Sequence, residues 1–295
     1  MIVIAGATGN LGGRISKSLI KKGVNLTAIV RHESNPQALS QLESLGIKIV
    51  KINMLNLQEV TEACKGATCV ISALSGLRPV IIETQKVLLD AAIKAQVPRF
   101  IPSDFSLDFT NLTPGTNRNL DLRREFHSHL ENSTISATTI FNGAFMELLK
   151  EEMPMILFKK KRIFYWGNKH QTLDFTTMDN VAEFTACVAL DDSSPRYLKV
   201  AGDRLSPIQM ADIMSELSNH KFKLLRPGGV GLLNILIKVT RFLSSGKNKL
   251  YPAWQGMQYM RDMMQGKARM DHYDNGRYPE IKWTSVKEMF SKGRN

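Results

Sequence analysis

From residue 1 to residue 103 the chain alternates short apolar runs with stretches of helical periodicity, joined by connections of only a few residues. A parallel sheet with crossover helices is the arrangement that accommodates such an order. IVIAG (2–6) has strand length, and Leu11, Ile15 and Leu19 then recur at helical spacing up to the basic turn Lys21-Lys22 and the capping Gly23. LTAIV (26–30) is a second strand. Asn35-Pro36 opens a helix that Gly46 closes, because proline is tolerated at the first helical position. IKIVKI (47–52), CVIS (69–72) and RFIPS (99–103) supply three more strands, with helices over Leu57–Lys65 and Val80–Ala95 between them.

Beyond residue 104 the alternation loosens. A polar loop containing Pro114-Gly115 leads to a helix near Leu120–Leu130 and a strand ISATTIF (135–141). IFYW (163–166) and TLDF (172–175) read as a small hairpin, Asn180–Leu190 as a helix and YLKVA (197–201) as a strand. Ser206-Pro207 caps a further helix, and from about residue 220 the pattern is mostly helical. The expected architecture is α/β: a doubly wound parallel Rossmann sheet with a smaller, mostly helical substrate-side lobe. The nucleotide-binding domain is expected over residues 1–150, with interleaved segments to about 205, and the lobe over 151–295. Trp254 with Met257, Met260, Met263 and Met264 forms a soft apolar stripe, which usually means core and can also line an aromatic-substrate pocket.

Composition narrows the partners. Three cysteines without C-x-x-C spacing argue against a disulfide framework or a zinc site and for a reducing compartment, so the expected location is cytoplasmic and no metal is expected. MIVIAGATG reads as a strand and not as a signal peptide. The most apolar segment, Gly229–Leu243, is too short for a membrane span and carries Lys238 and Arg241, so it reads as an amphipathic helix. The net charge of +12 is spread along the chain, with a single run at Lys159–Arg162 that reads as a solvated hairpin or loop. This distribution points away from nucleic acid and suits a polyanionic small molecule.

AGATGNLGGR (5–14) follows the first strand and opens the first helix. Gly6 permits a tight turn, Gly9 lets a pyrophosphate approach the backbone, and Gly12 lets the helix pack closely on the sheet. The spacing is G-x-x-G-x-x-G, and with a strand before it and a helix after it the turn predicts dinucleotide binding through Gly6, Thr8, Gly9, Asn10, Leu11 and Gly12. An acidic residue after the second strand would repel a 2′-phosphate. Here Arg31 and His32 stand at that place, with Glu33 one step later, and arginine offers a planar fork to phosphate. NADP(H) is therefore expected in preference to NAD(H).

On GATGNLG (6–12), VR (30–31), VISALSG (70–76), RFIPSDF (99–105) and FTTMDNVAEF (175–184), the chain resembles the NmrA-like and isoflavone-reductase-like branch of the atypical short-chain dehydrogenases. The resemblance covers residues 1–220 and extends to the remainder in general character. It implies an NADP-preferring Rossmann domain with Ser72, Ala73 and Leu74 beside the cofactor and Ser103 near the nicotinamide. Asn142 and Gly143 would border the substrate pocket. Short-chain dehydrogenases use a helical Tyr-x-x-x-Lys, in which the lysine lowers the tyrosine pKa. The match here, Tyr165 to Lys169, falls on an aromatic strand and a Gly-Asn turn. Isoflavone-reductase-like enzymes resemble one another in a lysine on the helix before the sixth strand. In NLDLRREFHSHLE (119–131) that position holds Arg123 or Arg124, and arginine is a poor general acid or base.

Two functions remain open on these residues. One is an NADPH-dependent reductase of a small apolar carbonyl, quinone or enone, with Ser103, ordered water or a nearby histidine such as His127 supplying the proton. The other is a non-catalytic NADP(H) redox sensor acting through a regulatory protein partner. A sugar-nucleotide epimerase is weaker, because the helical Tyr-x-x-x-Lys is missing.

Overall fold

A computed structural model describes residues 1–150, 152–244 and 248–292. The strands are β1 (Ile2–Ala5), β2 (Leu26–Val30), β3 (Lys48–Lys51), β4 (Cys69–Ser72), β5 (Arg99–Ile101), β6 (Ser136–Ala137), β7 (Thr139–Phe141), β8 (Ala144–Phe145), β9 (Ile156–Leu157), β10 (Arg162–Phe164), β11 (Leu173–Thr176), β12 (Tyr197–Lys199), β13 (Asp203–Leu205) and β14 (Lys223–Leu225). The α-helices are α1 (Asn10–Lys21), α2 (Pro36–Ser44), α3 (Leu57–Cys64), α4 (Gln85–Lys94), α5 (Arg118–Glu131), α6 (Met178–Leu190), α7 (Pro207–Ser218), α8 (Val230–Leu243), α9 (Ala253–Met264) and α10 (Val286–Lys292). Two compact units form: residues 1–105, 122–140 and 178–198 make the first, and residues 106–121, 141–177 and 199–295 the second.

The first unit is a Rossmann-like α/β layer. Its six strands lie in the order β3-β2-β1-β4-β5-β6, all parallel. β1 is buried along its whole length between β2 and β4, in register Ile2↔Leu26 and Ile2↔Cys69. Such burial on both sides explains why IVIA and CVIS carry no alternating polar positions. Strand order reverses at β1, so the carboxyl ends of β1 and β4 bound the crevice in which this architecture binds ligands. α1 turns Ile15 and Leu19 inward and packs against α6. Val3, Val60, Val70, Phe100 and Phe126 fill one side of the sheet.

Around the large sheet, two elements depart from the sequence expectation. The helix expected from Val80 begins as a wide π-turn, Pro79–Thr84, before α4 starts at Gln85. Thr84 Oγ1 donates to Pro79 O at 2.9 Å, five residues back, which favours the wider winding. ISATTIF divides at Thr138: β6 pairs with β5, whereas Thr139 N–H turns to Arg196 O at 2.8 Å. The strand leaves the large sheet there.

The second unit is built on two small mixed sheets, β14-β10-β9 and β13-β11-β8. IFYW and TLDF do not form a hairpin. The first lies between β9 and β14, the second between β13 and β8. The segment joining them cannot make a tight turn, because Tyr165 N–H and Gly167 N–H continue to Leu225 O and Gly228 O. α7 begins with a capping box, Ser206 N–H donating to Gln209 Oε1 and Gln209 N–H to Ser206 Oγ. α8 forms where the amphipathic reading placed it, burying Leu233 and Ile237. Among the described residues, no helix is long and apolar enough to cross a membrane. Met260, Met263, Met264 and Met270 pack in this unit's core with Trp166 and Phe175, so most of the methionine stripe is core.

Cys64, Cys69 and Cys187 are buried thiols, none of them in a disulfide. Burial pushes Cys64 and Cys69 up to about 12, leaving about a thousandfold less thiolate at neutral pH than a free cysteine has. A disulfide-exchange reagent should therefore leave all three thiols untouched in the native protein and titrate three after denaturation. Prompt reaction of Cys64 or Cys69 in the native state would contradict this packing.

Candidate functional site

The glycine turn lies where β1 passes into α1. Gly6 has φ +88° and Gly9 N–H donates back to Gly6 O at 3.0 Å, closing the turn. Gly9 then caps α1 with φ −83°, no side chain caps this helix end, and its first turn holds no acidic residue. Unsatisfied amides and the positive end of the helix dipole make that end attractive to an anion.

A Cβ test divides the three glycines into two kinds. On Gly6 a Cβ would lie 2.4 Å from Ala73 O, and on Gly12 it would lie 2.1 Å from Gly6 O. Both positions are therefore required by the fold itself, Gly6 because the 73–74 segment leaving β4 crosses directly against it. On Gly9 the nearest atom is Gly6 O at 3.3 Å, with nothing else within 4 Å. Packing does not demand a glycine at position 9. An open concavity over a helix end is the cradle a pyrophosphate needs, and a side chain would fill it.

A cleft of about 400 Å³ adjoins this turn, bordered by Thr8, Gly9, Asn10 and Arg14. Arg14 Nε donates to Asn10 Oδ1 at 2.9 Å, and its Nη1 pairs with Asp179 of α6. The guanidinium thereby steadies the Asn10 side chain beside the turn. Leu11 is half-buried behind it. Arg31 and His32 are exposed just past the carboxyl end of β2, in a turn closed by Ser34 N–H to Arg31 O. No ion pair engages Arg31 among the described residues, which leaves its fork open to a phosphate.

On the other side of β1, Ser72 is fully buried at the end of β4 and its Oγ has no hydrogen-bond partner in the fold. Ala73 N–H donates to Ala5 O at 2.8 Å, carrying the parallel ladder one residue further. Leu74 O accepts the hydroxyl of Ser103. Ser103 is fixed on every polar group: its N–H donates to Gln85 Oε1 at 2.8 Å, and its carbonyl accepts from Arg123 Nε at 3.1 Å. Gln85 is fully buried and its amide nitrogen donates to Ile81 O at 3.0 Å. The π-turn thus sets the side chain that fixes Ser103.

Arg123, 9% exposed, stands on α5 and is one of the two positions, with Arg124, at which the family resemblance looks for a lysine. His127, one helical turn on, is buried and its Nε2 lies 2.6 Å from Asp104 Oδ2. Thr139 Oγ1 also donates to Asp104 Oδ2, at 2.8 Å, and accepts from Arg196 Nη1 at 2.7 Å. Arg196 stacks on Tyr197 at 4.5 Å. Gln85, Asp104 and Asp179 join the site's supporting shell although sequence reasoning did not single them out. Asp104 lies inside RFIPSDF, but nothing local to the sequence announces its pairing with His127.

Asn142 and Gly143 belong to the second unit. Gly143 has φ +65°, and a Cβ there would meet Asp174 O at 2.3 Å. Asn142 is buried with its carbonyl accepting from Thr176 Oγ1 at 2.6 Å. Asp174 in turn accepts from Arg204 Nε at 2.7 Å, Tyr273 OH at 2.6 Å and Met270 N–H at 2.9 Å. Burial and the neighbouring Asp174 carboxylate raise the Tyr273 hydroxyl well above the usual phenol range, so it stays protonated and acts as a donor.

The pattern of the NmrA-like family matches residues 1–234. Pinoresinol reductase 2 of Arabidopsis thaliana is 24% identical over 240 residues, spanning 75% of this chain and 75% of that protein. Among solved structures, AtPrR2 with NADP+ and (+)pinoresinol has a TM-score of 0.81 at 21% identity, over 99% of this chain and 97% of the other. The NADPH-dependent quinone oxidoreductase QOR2 of Escherichia coli, complexed with NADPH, has a TM-score of 0.79 at 20% identity, over 100% of both chains. At such identities the structural likeness establishes the fold, and the family match runs through the glycine turn, RFIPSDF and the 175–184 segment. This chain is a member of the NmrA-like family.

Proposed function

We propose that the chain is an NADPH-dependent reductase of a small, apolar carbonyl, quinone or enone. The observation that carries this reading is the turn at Gly9, whose open concavity has no packing reason to be a glycine and suits a pyrophosphate. Supporting it, Arg31 stands open where a 2′-phosphate is read, and the relatives named above are reductases, two of them solved with NADP+ or NADPH. Gly6 and Gly12 shape the turn, and the backbone from Gly9 to Gly12, with Thr8, Asn10 and Leu11, holds the phosphates. Arg31 with His32 reads the ribose phosphate, and Ser72, Ala73 and Leu74 flank the cofactor. Asn142 and Gly143 border the substrate. Bound NADPH supplies the hydride, and the protein supplies orientation and exclusion of water.

The hydrogen-bond assignments bear on the proton. Ser103 gives its hydroxyl hydrogen to Leu74 O and so keeps acceptor lone pairs free. In this rotamer it orients a donor in front of it; rotation is needed before it can donate. His127 is buried with its Nε2 committed to Asp104, an arrangement that fixes the RFIPSD segment. We assign His127 a positioning role and leave protonation to Ser103 after rotation or to water. Arg123 braces Ser103 through its carbonyl. Readily reduced acceptors such as quinones need little acid assistance, which fits a chain without the family's lysine.

Ser103→Ala should lower kcat by about twofold to tenfold, the range for one neutral hydrogen bond. NADPH affinity should hold within a factor of about two. Steady-state kinetics with a fluorescence titration separate the two parameters. A variant that retains full kcat would remove Ser103 from the mechanism.

A further inference from the structure

The basic run Lys159–Arg162 takes no part in the cofactor site. It borders a second cavity, of about 490 Å³, in the second unit. That volume lies within the range of small-molecule pockets. None of its lining residues comes from the unit carrying the glycine turn. Its walls are apolar: Met214 and Leu217 of α7, Phe222 ahead of β14, and Phe290 of α10. Phe158 packs tilted against Phe290 with centroids 5.9 Å apart and remains 40% exposed.

The ionised groups lining the cavity are the two cations Lys150 and Lys161. Lys150, Lys161 and His220 lie on its wall, with no carboxylate among the lining residues. All three are exposed residues. Glu216, on the same helix as Met214, is taken by an ion pair with Lys287 at 2.6 Å. Lys159, Lys160, Lys221 and Lys223 are exposed in the adjoining segments, and Lys223 N–H donates to Lys161 O at 3.0 Å. Lys161 itself holds φ +51° and ψ +53°, a left-handed conformation that lysine adopts rarely. Backbone strain of this kind persists where the surrounding structure maintains it, and it clusters at ligand sites. Here it sits at a residue that lines the cavity.

We propose that this cavity binds an amphipathic monocarboxylate, with an aliphatic or aryl body against Met214, Leu217, Phe222 and Phe290 and its carboxylate between Lys150 and Lys161. Apolar walls alone would accept a neutral ligand equally well; two lysines in the lining, with no carboxylate beside them there, favour an anion. A body that enters the cavity should gain about fourfold in affinity per added methylene, until the space is filled.

Isothermal titration of the full chain with octanoate and decanoate, below micelle formation, tests this. Decanoate should bind more tightly than octanoate by about sixteenfold, and 1-decanol should bind at least about tenfold more weakly than decanoate. Lys150→Glu/Lys161→Glu should weaken decanoate by about tenfold or more with NADPH affinity unchanged. Leu217→Trp, at a half-buried position, should fill the cavity and abolish decanoate binding with the thermal melt retained. Absence of decanoate binding, equal affinity for decanol, or indifference to the lysine reversals would overturn the proposal. So would association with phosphatidylserine vesicles in the absence of monomeric decanoate binding, which would make the patch a membrane contact.

Discussion

Gly9→Val should abolish NADPH binding while the protein still folds. A Cβ at this position meets one backbone oxygen at 3.3 Å and otherwise open space, so the turn has to give by only a few tenths of an ångström. Its φ of −83° and ψ of 167° are extended values that valine adopts readily. The branched side chain would then occupy the concavity over the amino end of α1. Each hydrogen bond to a charged phosphate contributes roughly 1.5–3 kcal/mol, so displacing the pyrophosphate should cost more than about a hundredfold in affinity. Gly12→Val is the contrasting variant. Its Cβ would lie 2.1 Å from Gly6 O, and the turn must rebuild before any ligand is considered. Gly9→Val should melt near the wild-type temperature and Gly12→Val well below it. Calorimetric titration of the folded Gly9→Val protein reads the difference, and normal NADPH affinity there would move the phosphate site elsewhere.

Arg31→Ala should weaken NADPH by about 10–100-fold and leave NADH nearly unchanged, since one charge-assisted contact to the 2′-phosphate is lost. Arg31 is exposed and forms no ion pair among the described residues, so its removal should hardly change stability. The discrimination should also shrink as salt rises, because an exposed guanidinium is screened. Parallel titrations with the two reduced cofactors measure the effect. Equal loss for both would mean that Arg31 does not read the phosphate and that the neighbouring His32 or Lys51 must be examined in its place.

The middle of the large sheet was legible because β1, β2, β4 and β5 are buried along their whole length and, apart from Arg99 in β5, stand out as mainly apolar runs. IVIA and CVIS occur where the sequence places them, and the glycine turn follows β1 directly. Local signals also located α2 through Asn35-Pro36 and α7 through Ser206, because a cap is a property of a few consecutive residues. Pairing partners were not legible. IFYW and TLDF look like two arms of a hairpin, yet each ladder is completed by segments far along the chain. The π-turn before Gln85 is hidden in the sequence for a related reason: its winding depends on Thr84 reaching Pro79, and the Gln85 side chain it sets finds its partner in Ser103. At the candidate site, glycine spacing named three positions but could not rank them. Only the three-dimensional approach of Ala73 and Gly6 shows that positions 6 and 12 serve the fold while position 9 is free to serve a ligand. A helix sequence also does not reveal which of its histidines faces Asp104, and in the fold that is His127.

The most direct test of the central claim is turnover. Purified protein with NADPH should show loss of the reduced-nicotinamide absorbance when given electron-poor quinones or enones, at a rate proportional to enzyme concentration. Gly9→Val should abolish that activity, and NADH should support it poorly. Tight NADPH binding without consumption across a broad acceptor panel, together with a protein partner whose affinity differs between NADP+ and NADPH, would contradict the reductase reading and establish a sensor.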